Sequence, residues 1–284
     1  MVRGGVIRGT LHLLSRADYP SVAAAYTAPQ RRRATERLGI DVDTLGAAMP
    51  EEPITGREIR ALAERVIGPR DDPWTVAFAL RALPFVDVPP AGTWRHHKAG
   101  RARLWREPLP DVAEATALLV RRFLSAFGPA SRNDVEHFTY LPVAQLKPAL
   151  EGLRRLQSDD GRELYDVPRG PLPSPDTPAP ARFLPTFDSA VFAHADRTRI
   201  LPAAYHETVI RRKNATTLAT FLVDGFVAGS WRLERARRGA TLRLQPFEPL
   251  TRRALRELEE EAERLLRFLE PDAESYAVRL AGSA

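Results

Sequence analysis

Five prolines fall within ten residues at positions 171–180 (Pro171, Pro173, Pro175, Pro178 and Pro180). Each lacks the backbone N–H that a helix or sheet needs, and each biases the residue before it toward extended backbone. No regular element can run through such a segment. It predicts a stiff linker and divides the 284 residues into two parts, each long enough to bury a core. Hydrophobic residues at 44% and charged residues at 27% fit globular folding on both sides of it. The absence of cysteine excludes disulfide frameworks, cysteine-ligated zinc, iron–sulfur clusters and cysteine nucleophiles. No apolar run approaches the ~20 residues of a membrane span. Residues 1–14 have too short an apolar core for a secretory signal. The expectation is a soluble cytoplasmic protein with no membrane partner.

Charge is unevenly placed. The formal net charge is +6, and all but three of the 42 basic residues are arginine, the lysines being Lys98, Lys147 and Lys213. Residues 1–110 carry a net +5, residues 111–170 a net −1 and residues 171–284 a net +2. Within the first part, residues 93–106 hold Arg95, Lys98, Arg101, Arg103 and Arg106 with His96 and His97 and no acid, bracketed by Trp94 and Trp105. Guanidinium groups on a two-stranded ribbon suit phosphate, because they neutralise backbone charge and release counterions. Charge alone leaves open a solvated hairpin with no ligand.

Periodicity orders the elements. Thr55 and Glu58 form a capping box for a helix over 55–67, with Ile59, Leu62, Ala63 and Val66 on one face. A second helix is predicted over 73–83, then a strand at 85–88. Residues 93–97 and 101–106 can pair across Ala99-Gly100. The pattern then repeats: a helix over 111–127, a short helix capped by Ser131 and Asp134, and a third helix over 143–155. A hairpin turning at Asp160-Gly161 follows. Both runs spell a winged helix-turn-helix. Beyond the linker, 217–223, 227–233, 240–244 and 276–280 read as strands and 250–269 as an amphipathic helix. The fold class expected is α+β: tandem winged helix-turn-helix units followed by a mixed α/β C-terminal domain. Its divisions are a unit with a basic β-hairpin at 1–108, a second unit at 109–170, a linker at 171–182 and the last domain at 183–284.

The third helix of the second unit is in the recognition position, and its outward side would offer Ala144, Gln145, Lys147 and Glu151. That set reads bases poorly, so Gln145 and Lys147 are candidate DNA contacts beside an equally good scaffolding role. His194, Asp196 and His206 match no strong metal motif, and Ser189, His194 and Asp188 or Asp196 lack a nucleophile elbow. No metal is expected. There is no phosphate-cradling glycine loop. Glu259, Glu260 and Glu261 read as a solvated helix face. Thr10 and His12 alternate with Leu11 and Leu13, which on a strand places the polar pair on one face, either an edge in water or part of a cleft floor.

Several stretches together resemble one family: Arg8-Gly9-Thr10-Leu11-His12-Leu13, Phe127-Gly128-Pro129-Ala130-Ser131, Asp160-Gly161-Arg162-Glu163-Leu164, Ala181-Arg182-Phe183-Leu184-Pro185 with the prolines before it, His194-Ala195-Asp196-Arg197-Thr198-Arg199, and Leu222-Val223-Asp224-Gly225-Phe226-Val227-Ala228-Gly229-Ser230-Trp231-Arg232. In this order they resemble the bacterial winged-helix DNA-binding family that includes the AlkZ-like DNA glycosylases. The resemblance implies winged helices around duplex DNA. It also implies, for characterised members, hydrolysis of the N-glycosidic bond of alkylated purines, some members unhooking interstrand crosslinks, with a positioned water and a stabilised cationic sugar rather than a metal. Members carry a Gln-x-Gln or Gln-x-Asp motif upstream of the Arg-Gly-Thr-Leu-His-Leu stretch. That stretch begins here at residue 8, so the upstream segment is expected to be missing. Gln157-Ser158-Asp159 matches the motif by letter only and receives no role.

The expectation is therefore a cytoplasmic, nucleoid-associated winged-helix protein that binds double-stranded DNA, alkylated or crosslinked DNA included, and is related to the DNA-repair glycosylases that act on alkylated bases or interstrand crosslinks, without a cofactor. Its contacts are Arg95, His96, His97, Lys98, Arg101, Arg103, Gln145 and Lys147, with Arg8, Thr10 and His12 as a possible cleft and no catalytic residue assigned. An active alkylpurine glycosylase and a non-catalytic regulator are the alternatives.

Overall fold

The structure, a computed structural model, describes residues 1–72, 74–96, 100–211 and 216–281. The chain divides into two compact units, Met1–Gly170 and Pro171–Ala284. Residues 171–181, which include the proline cluster, form neither helix nor strand.

The first unit opens with a hairpin, β1 (Val2–Gly5) and β2 (Leu11–Leu14), whose strands pair from Val2↔Leu14 to Gly5↔Leu11. Helices α1 (Tyr19–Leu38) and α2 (Val42–Ala47) follow. Then come β3 (Ile54–Thr55), α3 (Gly56–Ile67), α4 (Thr75–Leu80), β4 (Phe85–Val88) and β5 (Arg101–Leu104). The strands make one antiparallel sheet in the order β2-β1-β4-β5-β3. Ile40, Leu45, Ile59, Ala63, Ala79 and Leu83 form a core under it, with Phe85, Ala102 and Leu104 packed on from the strands. The capping box of α3 is present: Thr55 Oγ1 accepts from Glu58 N–H, and Glu58 Oε2 accepts from Thr55 N–H at 2.7 Å.

The predicted hairpin of 93–97 with 101–106 does not form as drawn. Arg101–Leu104 pairs instead with Phe85–Val88, in the register Val86↔Arg103 and Val88↔Arg101. The reason is burial: Phe85 and Leu104 both reach the core, and pairing these two alternating segments puts them on it together. Residues 91–95 lie in turns and a bend. Pro73, where the second predicted helix begins, lies outside the described residues; that helix is seen as Thr75–Leu80.

The same unit continues with α5 (Val112–Phe127), α6 (Arg132–Thr139), α7 (Val143–Leu150), β6 (Arg154–Gln157) and β7 (Glu163–Asp166). Ser131 and Asp134 make a second reciprocal box at the start of α6. The third predicted helix stops at Leu150, five residues early. Gly152 takes φ +77°, and Arg154–Gln157 is drawn into pairing with Glu163–Asp166. Gly161, at φ +83°, supplies the turn. Ala130 bridges Tyr165 as a third, minimal strand. Helix α1 packs on both α4 and α5, and periodicity does not reveal it. Val22, Ala23, Ala24, Ala25 and Tyr26 are all buried, so it shows no single apolar stripe.

The second unit holds a five-stranded sheet in the order β14-β13-β12-β11-β8: β8 (Arg182–Leu184), β11 (Thr220–Val223), β12 (Phe226–Arg235), β13 (Gly239–Pro246) and β14 (Ser275–Leu280). Between β8 and β11 lie the short helices α8 (Ser189–Phe192) and α9 (His206–Val209) and the pair β9 (Ile210–Arg211) and β10 (Thr216–Thr217). Strand β14 joins parallel to β13 after the crossover helix α10 (Arg252–Leu269), the others antiparallel. Leu258, Ala262 and Leu266 of α10 are fully buried against Phe221, Leu242 and Leu244. Each such leucine contributes about 1.5–3 kcal/mol. The predicted strand at 217–223 divides in two, Thr216–Thr217 pairing with Ile210–Arg211 and Thr220–Val223 joining the large sheet. Among the described residues no helix is long and apolar enough to cross a membrane.

Candidate nucleic-acid interface

Strand alternation places Arg101 and Arg103 on one side of β5, and both are exposed. Arg101 Nη1 donates to the Pro53 carbonyl at 3.1 Å. Its charge also helps hold the Glu58 carboxyl below the ordinary range, behind the larger effect of the Thr55 hydrogen bonds. Neither Arg101 nor Arg103 forms an ion pair among the described residues. Arg95 is exposed at φ +61° and His96 is half-buried, both in the segment joining β4 to β5. His97 and Lys98 lie outside the described residues. Of the bracketing tryptophans, Trp94 is exposed and Trp105 is buried against Tyr19, with ring centroids 4.9 Å apart. Arg106 turns inward to the Met49 carbonyl at 2.5 Å.

The second ribbon behaves differently. Arg155 pairs with Glu163 at 2.9 Å, and Arg162 pairs with Asp160 at 2.7 Å. Helix α7 corrects one expectation: Gln145 does not point outward. Its Nε2 donates to the Ala25 carbonyl and to Thr116 Oγ1, both at 2.9 Å. Position 145 sits next to buried Leu146, on the side of α7 that packs on α5, so its amide satisfies interior acceptors. Lys147 and Ala144 are exposed.

The Arg8 segment is a single 3-10 turn, Ile7–Gly9, between β1 and β2. Arg8 itself sits in the left-handed region at φ +59°, a conformation that costs a non-glycine residue roughly 1–2 kcal/mol. There its guanidinium lies 5.3 Å from the centroid of the Phe138 ring of α6. Burial lowers the Arg8 pKa from its ordinary value, with nearby Tyr140 opposing. Thr10 Oγ1 donates to the Ile7 carbonyl at 3.2 Å, and His12 Nδ1 lies 3.0 Å from the Thr10 carbonyl. Burial pushes the His12 imidazole down; the Thr10 hydrogen bond opposes this and the Arg8 charge adds to it. Gly9 is needed here: at φ +68° a Cβ would stand 3.0 Å from both Tyr26 Oη and Arg81 Nε.

The groups around this turn escape sequence reading. Arg33 and Arg81 lie 4.5 and 5.2 Å from the Phe78 ring. Arg81 also opposes the burial that raises the Tyr26 phenol. The run Arg31-Arg32-Arg33 is the one local signal that could point to them.

In the second unit, His194 and His206 face guanidiniums. Arg199 Nη1 lies 2.8 Å from His194 Nε2, and Arg197 Nη1 lies 3.3 Å from His206 Nε2. Asp188 is spent on capping α8 through Ala190 N–H. Among the described residues no group of three His, Asp or Glu side chains could hold a metal.

The fold resembles that of Streptomyces sahachiroi DNA glycosylase AlkZ, with a TM-score of 0.72 over 99% of this chain and 81% of that one. Sequence identity is 18%, so this likeness speaks for fold alone. No curated protein sequence matches the chain. The family described as DNA glycosylase AlkZ-like matches residues 1–268. With so much of its length accounted for, the chain belongs to the AlkZ-like DNA glycosylase family.

Proposed function

We propose that the chain binds double-stranded DNA through two winged helix-turn-helix units, residues 1–108 and 109–170, followed by the linker at 171–182 and a C-terminal mixed α/β domain at 183–284. Support for the winged-helix reading comes from strand order: the short strand before α3 pairs with the second ribbon strand, as Ile54↔Ala102, and the single residue before α6 does the same, as Ala130↔Tyr165. One observation carries the function: Arg101 and Arg103 share an exposed face with no carboxylate paired to either among the described residues. Two such cations on one exposed face of a strand can neutralise backbone phosphates and release their counterions. Arg95, His96 and Lys147 are further proposed contacts, as are His97 and Lys98, which lie outside the described residues. Gln145, engaged inside the unit, supports them by positioning α7. A cytoplasmic, nucleoid-associated location follows from this partner.

The test is joint neutralisation of Arg95, Lys98, Arg101 and Arg103. Most duplex binding should vanish, and the dependence of log K on log salt should flatten by about 0.9 for each phosphate that is no longer neutralised. An unchanged slope overturns the assignment.

A second reading, favoured by family membership, is a DNA glycosylase acting on alkylated or crosslinked bases. Water would add at the sugar C1′ as the base leaves with the bonding electron pair. The Arg8 turn, with Thr10 and His12, is the proposed cleft, and no catalytic residue is assigned. Base released from duplex carrying 7-methylguanine establishes this activity. Tight duplex binding without release leaves a non-catalytic DNA-binding protein.

A further inference from the structure

Arg8 and Tyr140 both hold left-handed backbone, at φ +59° and +57°, on the two sides of the contact between the Ile7–Gly9 turn and α6. Such backbone is costly for any residue but glycine, and it concentrates at functional sites. Arg8 is half-buried, with the Phe138 ring 5.3 Å away. Its guanidinium N–H groups meet no acceptor and no carboxylate among the described residues, yet its nitrogens are not sealed from solvent. Cations withdrawn from water are normally paired, so this one points to an anion that a ligand brings. Tyr140 closes α6, its backbone N–H donating to the Glu136 carbonyl at 2.8 Å. It is 61% exposed, and its phenol is near enough to act on the Arg8 charge. An open aromatic ring beside a guanidinium in want of an anion matches a nucleotide, which carries a base and a phosphate; surfaces that bind single strands combine these two groups. Bases within a duplex offer only their edges, so the ring can stack only on one that has left the helix.

We propose that this corner holds one unpaired nucleotide of a DNA strand, its base stacked on the Tyr140 ring and its phosphate on the Arg8 guanidinium. The proposal rests on the duplex-binding reading and gives the Arg8 turn an occupant.

The test measures, by fluorescence anisotropy with the full chain, affinity for three duplexes: one with a single bulged adenine, one fully paired, and one whose bulged nucleotide lacks its base. The bulged adenine should bind about tenfold tighter than either of the others, the gain expected of one stacked base. Tyr140→Ala should erase this preference and Tyr140→Phe should keep it. Tyr140→Gly should erase it while raising the melting temperature by about 2–4 °C, because glycine takes the same φ without strain. Arg8→Gly should weaken the bulged duplex about tenfold and flatten its salt slope by about 0.9, with the paired duplex unchanged. Equal binding of bulged and paired duplexes overturns the proposal and leaves duplex binding standing. An equal gain from the bulge without a base overturns it as well, since bending alone then accounts for the gain. A preference that survives Tyr140→Ala, or a Tyr140→Gly protein that melts lower and keeps the preference, assigns the ring to the fold and overturns it. Binding of none of the three removes the duplex reading and this proposal together.

Discussion

The two ribbons of the first unit are built alike and charged differently. Both are short antiparallel pairs that follow helices, and both carry arginine. In β6–β7, Arg155 and Arg162 are each met by a carboxylate within 3 Å, from Glu163 and Asp160. In β4–β5, the acid on the ribbon itself, Asp87, sits opposite Ala102 in the register and pairs with Arg3, and neither Arg101 nor Arg103 has an ion pair among the described residues. Counting basic residues would rank these ribbons as similar. What separates them is register, which decides whether a carboxylate shares the arginine's face.

The strongest way to break this comparison is to reverse charge on each ribbon in turn. Arg101→Glu with Arg103→Glu should cost roughly a hundredfold in duplex affinity near 0.1 M salt and reduce the salt slope by about two, measured by fluorescence anisotropy across a salt series. Arg155→Glu with Arg162→Glu should cost less than about threefold, since those cations are already neutralised. Equal losses would sink the distinction.

A smaller effect sharpens the role of α7. Gln145→Ala removes two hydrogen bonds inside the unit and should lower stability by about 1–2 kcal/mol in chemical denaturation. Duplex affinity of the folded fraction should hold. Loss of affinity with stability intact would return Gln145 to the DNA-facing side.

The capping boxes are next. Thr55→Ala and Ser131→Ala should each cost about 1 kcal/mol, because the same pair of bonds closes each helix. The weakest effect belongs to His12. Its folded pKa lies below the ordinary value of about 6.5, so the unfolded chain binds more protons in the window between the two. Stability should be full above pH 6.5 and fall as pH drops through that window, and His12→Gln should blunt the fall. An NMR titration of His12 with a midpoint at or above 6.5 would contradict this.

Much of the frame is legible in sequence, for local reasons. Thr55/Glu58 and Ser131/Asp134 announce helix starts by chemistry that needs no tertiary partner. Asp160-Gly161 announces its hairpin because Gly161 can take φ +83°. Helix α10 is plain because one side alone is apolar. What stays hidden depends on distant parts of the chain. Helix α1 is wrapped too fully to show a stripe. The partner of β5 is chosen by a shared core rather than by the nearest turn. Arg8 stands out by position, but Phe138 beside it and Tyr26 and Arg81 beside Gly9 lie far along the chain, and nothing local links them.

Helix α1 has a thermodynamic consequence. It packs on α4 at one side and α5 at the other, and the Ala25 carbonyl anchors α7 through Gln145. Melting either half of residues 1–170 would strip cover from the same buried Ala23, Ala24, Ala25 and Tyr26. The halves should therefore unfold in a single transition, so that a destabilising change in one lowers the melting temperature of both together.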